Sequence, residues 1–303
     1  MITFINKLNK IWFTHCQVIL FNTTGLPPPT PTSTSGAAST YLTRARLKRL
    51  SDIQFSGKKC SIQDLTVVSP HMLLVSFFSQ ECVQLLDCLK GEVVAEVQLQ
   101  RRAHSLCLTD RNTAAVRVGR KIQMITVKDK TLTKGKEMTV SGDIRGLTSS
   151  RNSLVVSYQS PPWVEVISID GKVLQQFDKA AESQNFKYPV FMCTTPGGSV
   201  FLSDSGTNTI TKLDDQFNPF QTFNSPLLQV PRGITAVAED KILVCSKRNH
   251  SIVLLQPSTN TMSTLLGKDY GIDNPYSLTY CPDQKKVYVA KYNTYIIRVY
   301  QMS

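Results

Sequence analysis

The stretch Ser153-Leu154-Val155-Val156-Ser157-Tyr158, a Pro161-Pro162 turn, Trp163-Val164-Glu165-Val166-Ile167-Ser168-Ile169, then Asp170-Gly171 and Lys172-Val173-Leu174-Gln175-Gln176-Phe177, decides the fold. It reads as three strands in hairpin succession. The first is a near-continuous apolar run, the pattern of a strand covered on both faces. Asp-Gly between two alternating runs predicts a tight hairpin with φ above zero at both turn positions. A short apolar strand anchored at Leu147 comes before them, making four strands in all.

Working outward, the same four beats recur along the chain. The anchors are Leu65, Leu106, Leu147, Met192, Ile234 and Leu278, spaced 41 to 45 residues apart. Second strands follow at Met72–Phe77, Thr113–Val118, Ser153–Tyr158, Ser199–Asp204, Lys241–Ser246 and Lys286–Lys291. Third strands read at Trp163–Ile169, Thr209–Asp214, Ser251–Gln256 and Ile296–Gln301. Four-stranded repeats of this length predict an all-β, six-bladed β-propeller. Blade six has no fourth strand before Ser303, which would leave an open edge. The alternating segment Leu50-Ser51-Asp52-Ile53-Gln54-Phe55 has no partner of its own, so it is expected to complete blade six and close the ring. Residues 50–303 are then one propeller domain. Residues 1–49 are an extension and a Pro/Thr/Ser-rich linker, Leu26 to Ser35, expected to be largely disordered. Asp178–Phe186 reads as a polar loop between blades.

Composition is that of an ordinary globular chain, with 41% hydrophobic and 18% charged residues. The net charge of +12 divides unevenly, since residues 1–50 hold six basic side chains and no acid. The propeller's own excess is mild and is weak ground for nucleic acid. Ile11–Phe21 is too short and too polar for a membrane span, and no cleavage site of secretory type follows it convincingly. Eight cysteines lie without C-x-x-C or metal-like spacing, and Cys107, Cys193 and Cys245 fall in or beside apolar strands. Free thiols, a reducing compartment and a cytoplasmic location are expected.

Blade four carries Ser203-Asp204-Ser205-Gly206-Thr207-Asn208-Thr209-Ile210. Blade five carries Pro231-Arg232-Gly233-Ile234 and later Ser246-Lys247-Arg248-Asn249-His250-Ser251-Ile252, and blade six Asn274-Pro275-Tyr276-Ser277-Leu278. This pattern resembles the NHL repeat, and residues 50–303 resemble the C-terminal propeller of tripartite-motif ubiquitin ligases. Blades one to three keep the spacing but lose the Asp and Asn. The RING, B-box and coiled coil that accompany ligase activity in that family have no counterpart in this sequence. The resemblance implies a recognition module without catalysis of its own, linked to ubiquitin-dependent degradation.

Successive strands alternate direction, so the start of each inner strand and the end of each second strand reach one face. Two residues before the anchors stand Gln63, His104, Arg145, Val190, Arg232 and Tyr276. Second-strand ends and turns add Arg120, Tyr158, Asp204, Lys247, Arg248, Lys291 and Tyr292. Cations interleaved with rings suit an acidic protein partner or adaptor, with single-stranded RNA as the alternative. Against this stand a rim salt bridge of Arg145 or Arg232 with Asp204, and Tyr158, Tyr276 or Trp163 packed as core. One acid at the channel is too few for a hard metal ion, and neither a G-x-S-x-G motif nor a phosphate loop is present. No enzyme activity, cofactor, metal, membrane or small-molecule substrate is therefore expected.

Overall fold

The computed structural model describes residues 18–22, 47–55, 61–176 and 185–303, the first of these as backbone only. Six sheets of antiparallel strands form six blades. The inner strands are Ile62–Ser69, Ala103–Asp110, Ile144–Ser150, Pro189–Thr194, Pro231–Ala238 and Pro275–Cys281. Each packs beside the next, and the last packs beside the first, so the ring is closed. Among the described residues the only helical turns are two 3-10 pieces, Pro257–Thr259 and Lys268–Tyr270.

The second strands are buried along almost their whole length, as their apolar runs require. Leu74, Val75, Val155, Val156, Leu202, Leu243 and Val244 show no accessible surface. Apolar clusters fill the wedges between neighbouring blades; one of them joins Phe55, Phe77 and Tyr288 across the seam of the ring. Burial of this kind, at roughly 25 cal/mol per Å² of apolar surface, is the main stabilising term.

Closure occurs where the alternation of residues 50–55 places it, and the strand begins earlier. Leu47–Phe55 pairs antiparallel with the third strand of blade six, with Ser51 opposite Val299 and Ile53 opposite Ile297. Leu47 is buried among Tyr300, Val287 and Ile272, which explains the earlier start. Beyond it Val18–Asn22 adds a fifth strand, with Val18 opposite Phe55 and Asn22 opposite Ser51. The rest of the extension and linker, and most of the polar loop Asp178–Phe186, lie outside the described residues.

The turn at Asp170-Gly171 differs from expectation. Only Gly171 has positive φ, at 92°. The Gly171 amide donates to the Ser168 carbonyl and the Ser168 amide to that of Lys172, so the loop is one residue longer than a two-residue hairpin. A single left-handed Gly after an ordinary turn relieves Asp170 of the strained conformation.

Candidate functional site

Every inner strand carries a break in its ladder at the same place. The register with the second strand shifts between Ile62 and Asp64, Ala103 and Leu106, and Ile144 and Leu147. In the remaining blades it shifts between Pro189 and Phe191, Pro231 and Ile234, and Pro275 and Ser277. The residue two before each anchor sits inside the break. A bulge re-aims the side chain it contains. All six of these residues, Gln63, His104, Arg145, Val190, Arg232 and Tyr276, line one pocket at the mouth of the central channel. Gly233 has a packing reason in the same break: a Cβ there would lie 2.6 Å from the Ser277 Cα of the next blade.

The pocket is basic and ringed by aromatics. The Arg145 guanidinium lies 5.3 Å from the Tyr188 ring centre, and that of Arg232 lies 5.7 Å from Tyr188 and 5.6 Å from Tyr276. Arg117 completes the trio from the second strand of blade two. Burial and the neighbouring Arg145 bring the Arg117 guanidinium down to about 10. Burial, then Arg117, Arg145 and Arg102, hold His104 at about 4, so it is neutral near pH 7. Among the described residues no carboxylate forms an ion pair with Arg117, Arg145, Arg232 or Lys247.

The rim adds two exposed rings. The Lys247 ammonium stands 3.5 Å above the centre of Tyr292, which is 48% exposed and packs against Tyr276. Burial, Arg232 and Arg248 push the Lys247 ammonium down. Phe78, 46% exposed, meets His104 edge-on and lies under Arg102. Lys291 is neutralised by Asp273, and Arg120 donates to Asp143 at 2.8 Å. Arg248 is an exposed rim cation.

Two expected site residues are corrected. Tyr158 is fully buried, stacked on Trp163 at 4.4 Å, and donates to the buried Glu165 at 2.6 Å. It is a core residue: the loop through Gly142 lies so close over its ring that a Cβ there would stand 3.0 Å from Tyr158 Cδ1. Asp204 is also fully buried, accepting from the backbone amides of Lys187, Tyr188, Gly206 and Thr207. Its oxygens hold two loops, Lys187-Tyr188 and Gly206-Thr207, so it does not pair with Arg145 or Arg232. Trp163 is 2% exposed and begins a buried third strand.

Arg117 and Tyr188 were not among the expected site residues. The signal for Arg117 lay in the repeat. At its position the other second strands place Ser76, Ser157, Ser203, Cys245 and Ala290, so one arginine stands where small residues stand. Ser76, Ser157 and Ser203 each donate to an inner-strand carbonyl of the next blade. Arg117 cannot fit that role and extends to the mouth instead. Tyr188 precedes its bulge and carries no comparable signal.

The arrangement defines the chain as a six-bladed β-propeller with a basic, ring-lined channel mouth. No protein-family model and no curated protein matches the sequence. Solved structures are similar to it in fold. A Bacteroides thetaiotaomicron protein of unknown function is similar over 83% of this chain and 72% of its own, at 12% identity and a TM-score of 0.67. The β-propeller domain of Swd1 from Myceliophteria thermophila is similar over 83% and 91%, at 9% identity and 0.60. Virginiamycin B lyase from Staphylococcus aureus is similar over 85% and 99%, at 14% identity and 0.59. These likenesses show the fold alone, and none carries an NHL or tripartite-motif assignment. They correct one expectation, that the chain is not an enzyme. A lyase shares this architecture, so the architecture is no ground for excluding catalysis. Among the described residues no helix is long and apolar enough to cross a membrane.

Proposed function

We propose that the channel-mouth face is a docking surface for an acidic segment of a protein partner. The observation behind this reading is the cluster of Arg117, Arg145, Arg232 and Lys247 around one mouth, with no carboxylate paired to any of them among the described residues. Like charges gathered in a half-buried place oppose folding, and an acidic partner offsets that cost while gaining steering and specificity. The two rings inside the mouth favour protein over single-stranded RNA. Tyr188 and Tyr276 are already covered by guanidinium groups of the same chain, so they do not offer open faces to bases. The resemblance of blades four to six to NHL repeats makes substrates or adaptors of ubiquitin-dependent degradation the first partners to try.

The test is fluorescence anisotropy of a labelled Glu/Asp-rich peptide and of a labelled oligouridylate against the full chain. Both are measured at two salt concentrations, beside a variant with Arg145→Ala, Arg232→Ala and Lys247→Ala. The reading expects peptide binding that the triple variant loses and little RNA binding. RNA binding that falls steeply with salt and vanishes in the triple variant would replace it with an RNA-reading propeller.

A further inference from the structure

We propose that the pocket at the centre of this face is a site for a single oxyanion group, a carboxylate or a phosphoryl, held between Arg117, Arg145 and Arg232. The inference rests on the docking reading above and names the group that an acidic partner must present.

Three features of the pocket point to an anion. The Nε atoms of Arg145 and Arg232 are buried, and among the described residues no group accepts a hydrogen bond from them. Buried donors of a charged group without an acceptor are rare, because they forfeit hydration and regain nothing. Second, the guanidinium groups are placed before any ligand arrives. Arg145 and Arg232 flank the same Tyr188 ring, and Arg232 also lies over Tyr276. Fixed guanidinium planes suit carboxylate or phosphate and lose little freedom on binding. Third, the Tyr276 hydroxyl accepts from Gln63 Nε2 at 2.6 Å, which leaves its own hydrogen to donate.

Size narrows the choice. The pocket encloses about 50 Å³. That is room for roughly four water-sized centres, which suits an oxyanion head. Among the described residues no side chain of the protein fills the role. Two buried acids stand close by and both are committed: Asp64 accepts from Leu65 N, Leu106 N, Ser105 Oγ and Ser277 Oγ, and Asp204 from four backbone amides. Ligand oxygens between the three arginines would satisfy the orphan donors and screen three like charges at once.

The experiment titrates sodium phosphate and sodium acetate into the full chain at constant ionic strength, with sodium chloride as the reference. It follows the NMR signals of the arginine Nε–H groups and the thermal midpoint. The expected result is a saturable downfield shift of the Arg145 and Arg232 signals and a rise in midpoint that chloride does not produce. A stronger response to acetate assigns the group as a side-chain or chain-end carboxylate; a stronger response to phosphate assigns it as a phosphoryl. Arg117→Ser, which installs the residue found at this place in blades one, three and four, is expected to weaken the response at least tenfold. Arg232→Lys keeps the charge, removes an Nε donor and is expected to do the same. Absence of saturation with both anions, or responses unchanged in both variants, would overturn the proposal. Acidic peptide that still binds a protein blind to both small anions would confine recognition to the rim and overturn the oxyanion site alone. Failure of the peptide to bind the wild type would instead remove the docking reading.

Discussion

Asp64 follows the bulge of blade one and accepts hydrogen bonds from blades one, two and six. Burial is the largest influence on its carboxyl and raises it from 3.8 to about 6, against the opposing hydrogen bonds. Between those values the folded state binds more protons than the unfolded one. Its contribution is therefore fully present below about pH 4 and is lost as pH rises through 6, a swing on the order of 3 kcal/mol. The difference in urea-unfolding free energy between wild type and Asp64→Asn, measured from pH 4 to 7, should follow that slope; a flat difference would refute it. Arg117 makes the opposite kind of residue-level prediction. Its depressed guanidinium marks a charge that the fold tolerates rather than uses, so Arg117→Ser should stabilise the free protein by about 2 kcal/mol. Loss of stability in that variant would mean that packing of the arginine stem outweighs the repulsion. Residue identity alone did not separate Tyr276 from Tyr158, since both fall near strand ends. What separates them is the bulge that turns Tyr276 toward the channel and the loop at Gly142 that covers Tyr158. A bulge depends on close approach of neighbouring blades, as at Gly233, and leaves only a faint trace in a single sequence.

At the level of elements, most of the fold was legible. Apolar runs such as Leu73–Phe77 and Ile242–Ser246 suit strands covered on both sides, and their recurrence at blade spacing is what points to a propeller. The closing strand was legible for a different reason: an alternating segment without a partner and a blade without a fourth strand fit each other. The fifth strand, Val18–Asn22, departs from expectation, because its apolar stretch is too short and polar for a membrane span and falls in an extension expected to be largely disordered. Closure gives a direct prediction. Phe55 is fully buried and meets Phe77 edge-on at 5.3 Å across the seam. Phe55→Ala should cost about 3–5 kcal/mol in urea unfolding. A cost below about 1 kcal/mol would mean that the ring does not depend on this latch.

For the whole molecule, the net charge of +12 says little, since half of it lies in the first 50 residues. What counts is that the propeller gathers three arginines and a lysine around one mouth while its acids serve backbone amides or rim pairs elsewhere, as at Asp204 and Asp143. That distribution arises from register and bulge, so no tally of charges along the chain reveals it. Charge reversal tests the claim that this mouth reads an acidic partner most directly. The affinity of the full chain for a Glu-rich and a Lys-rich peptide would be measured for wild type and for the double variant Arg232→Glu, Lys247→Glu, with circular dichroism to confirm folding. The account predicts that the variant loses the Glu-rich peptide by at least tenfold and gains the Lys-rich one. An unchanged preference for the Glu-rich peptide in a folded variant would contradict it.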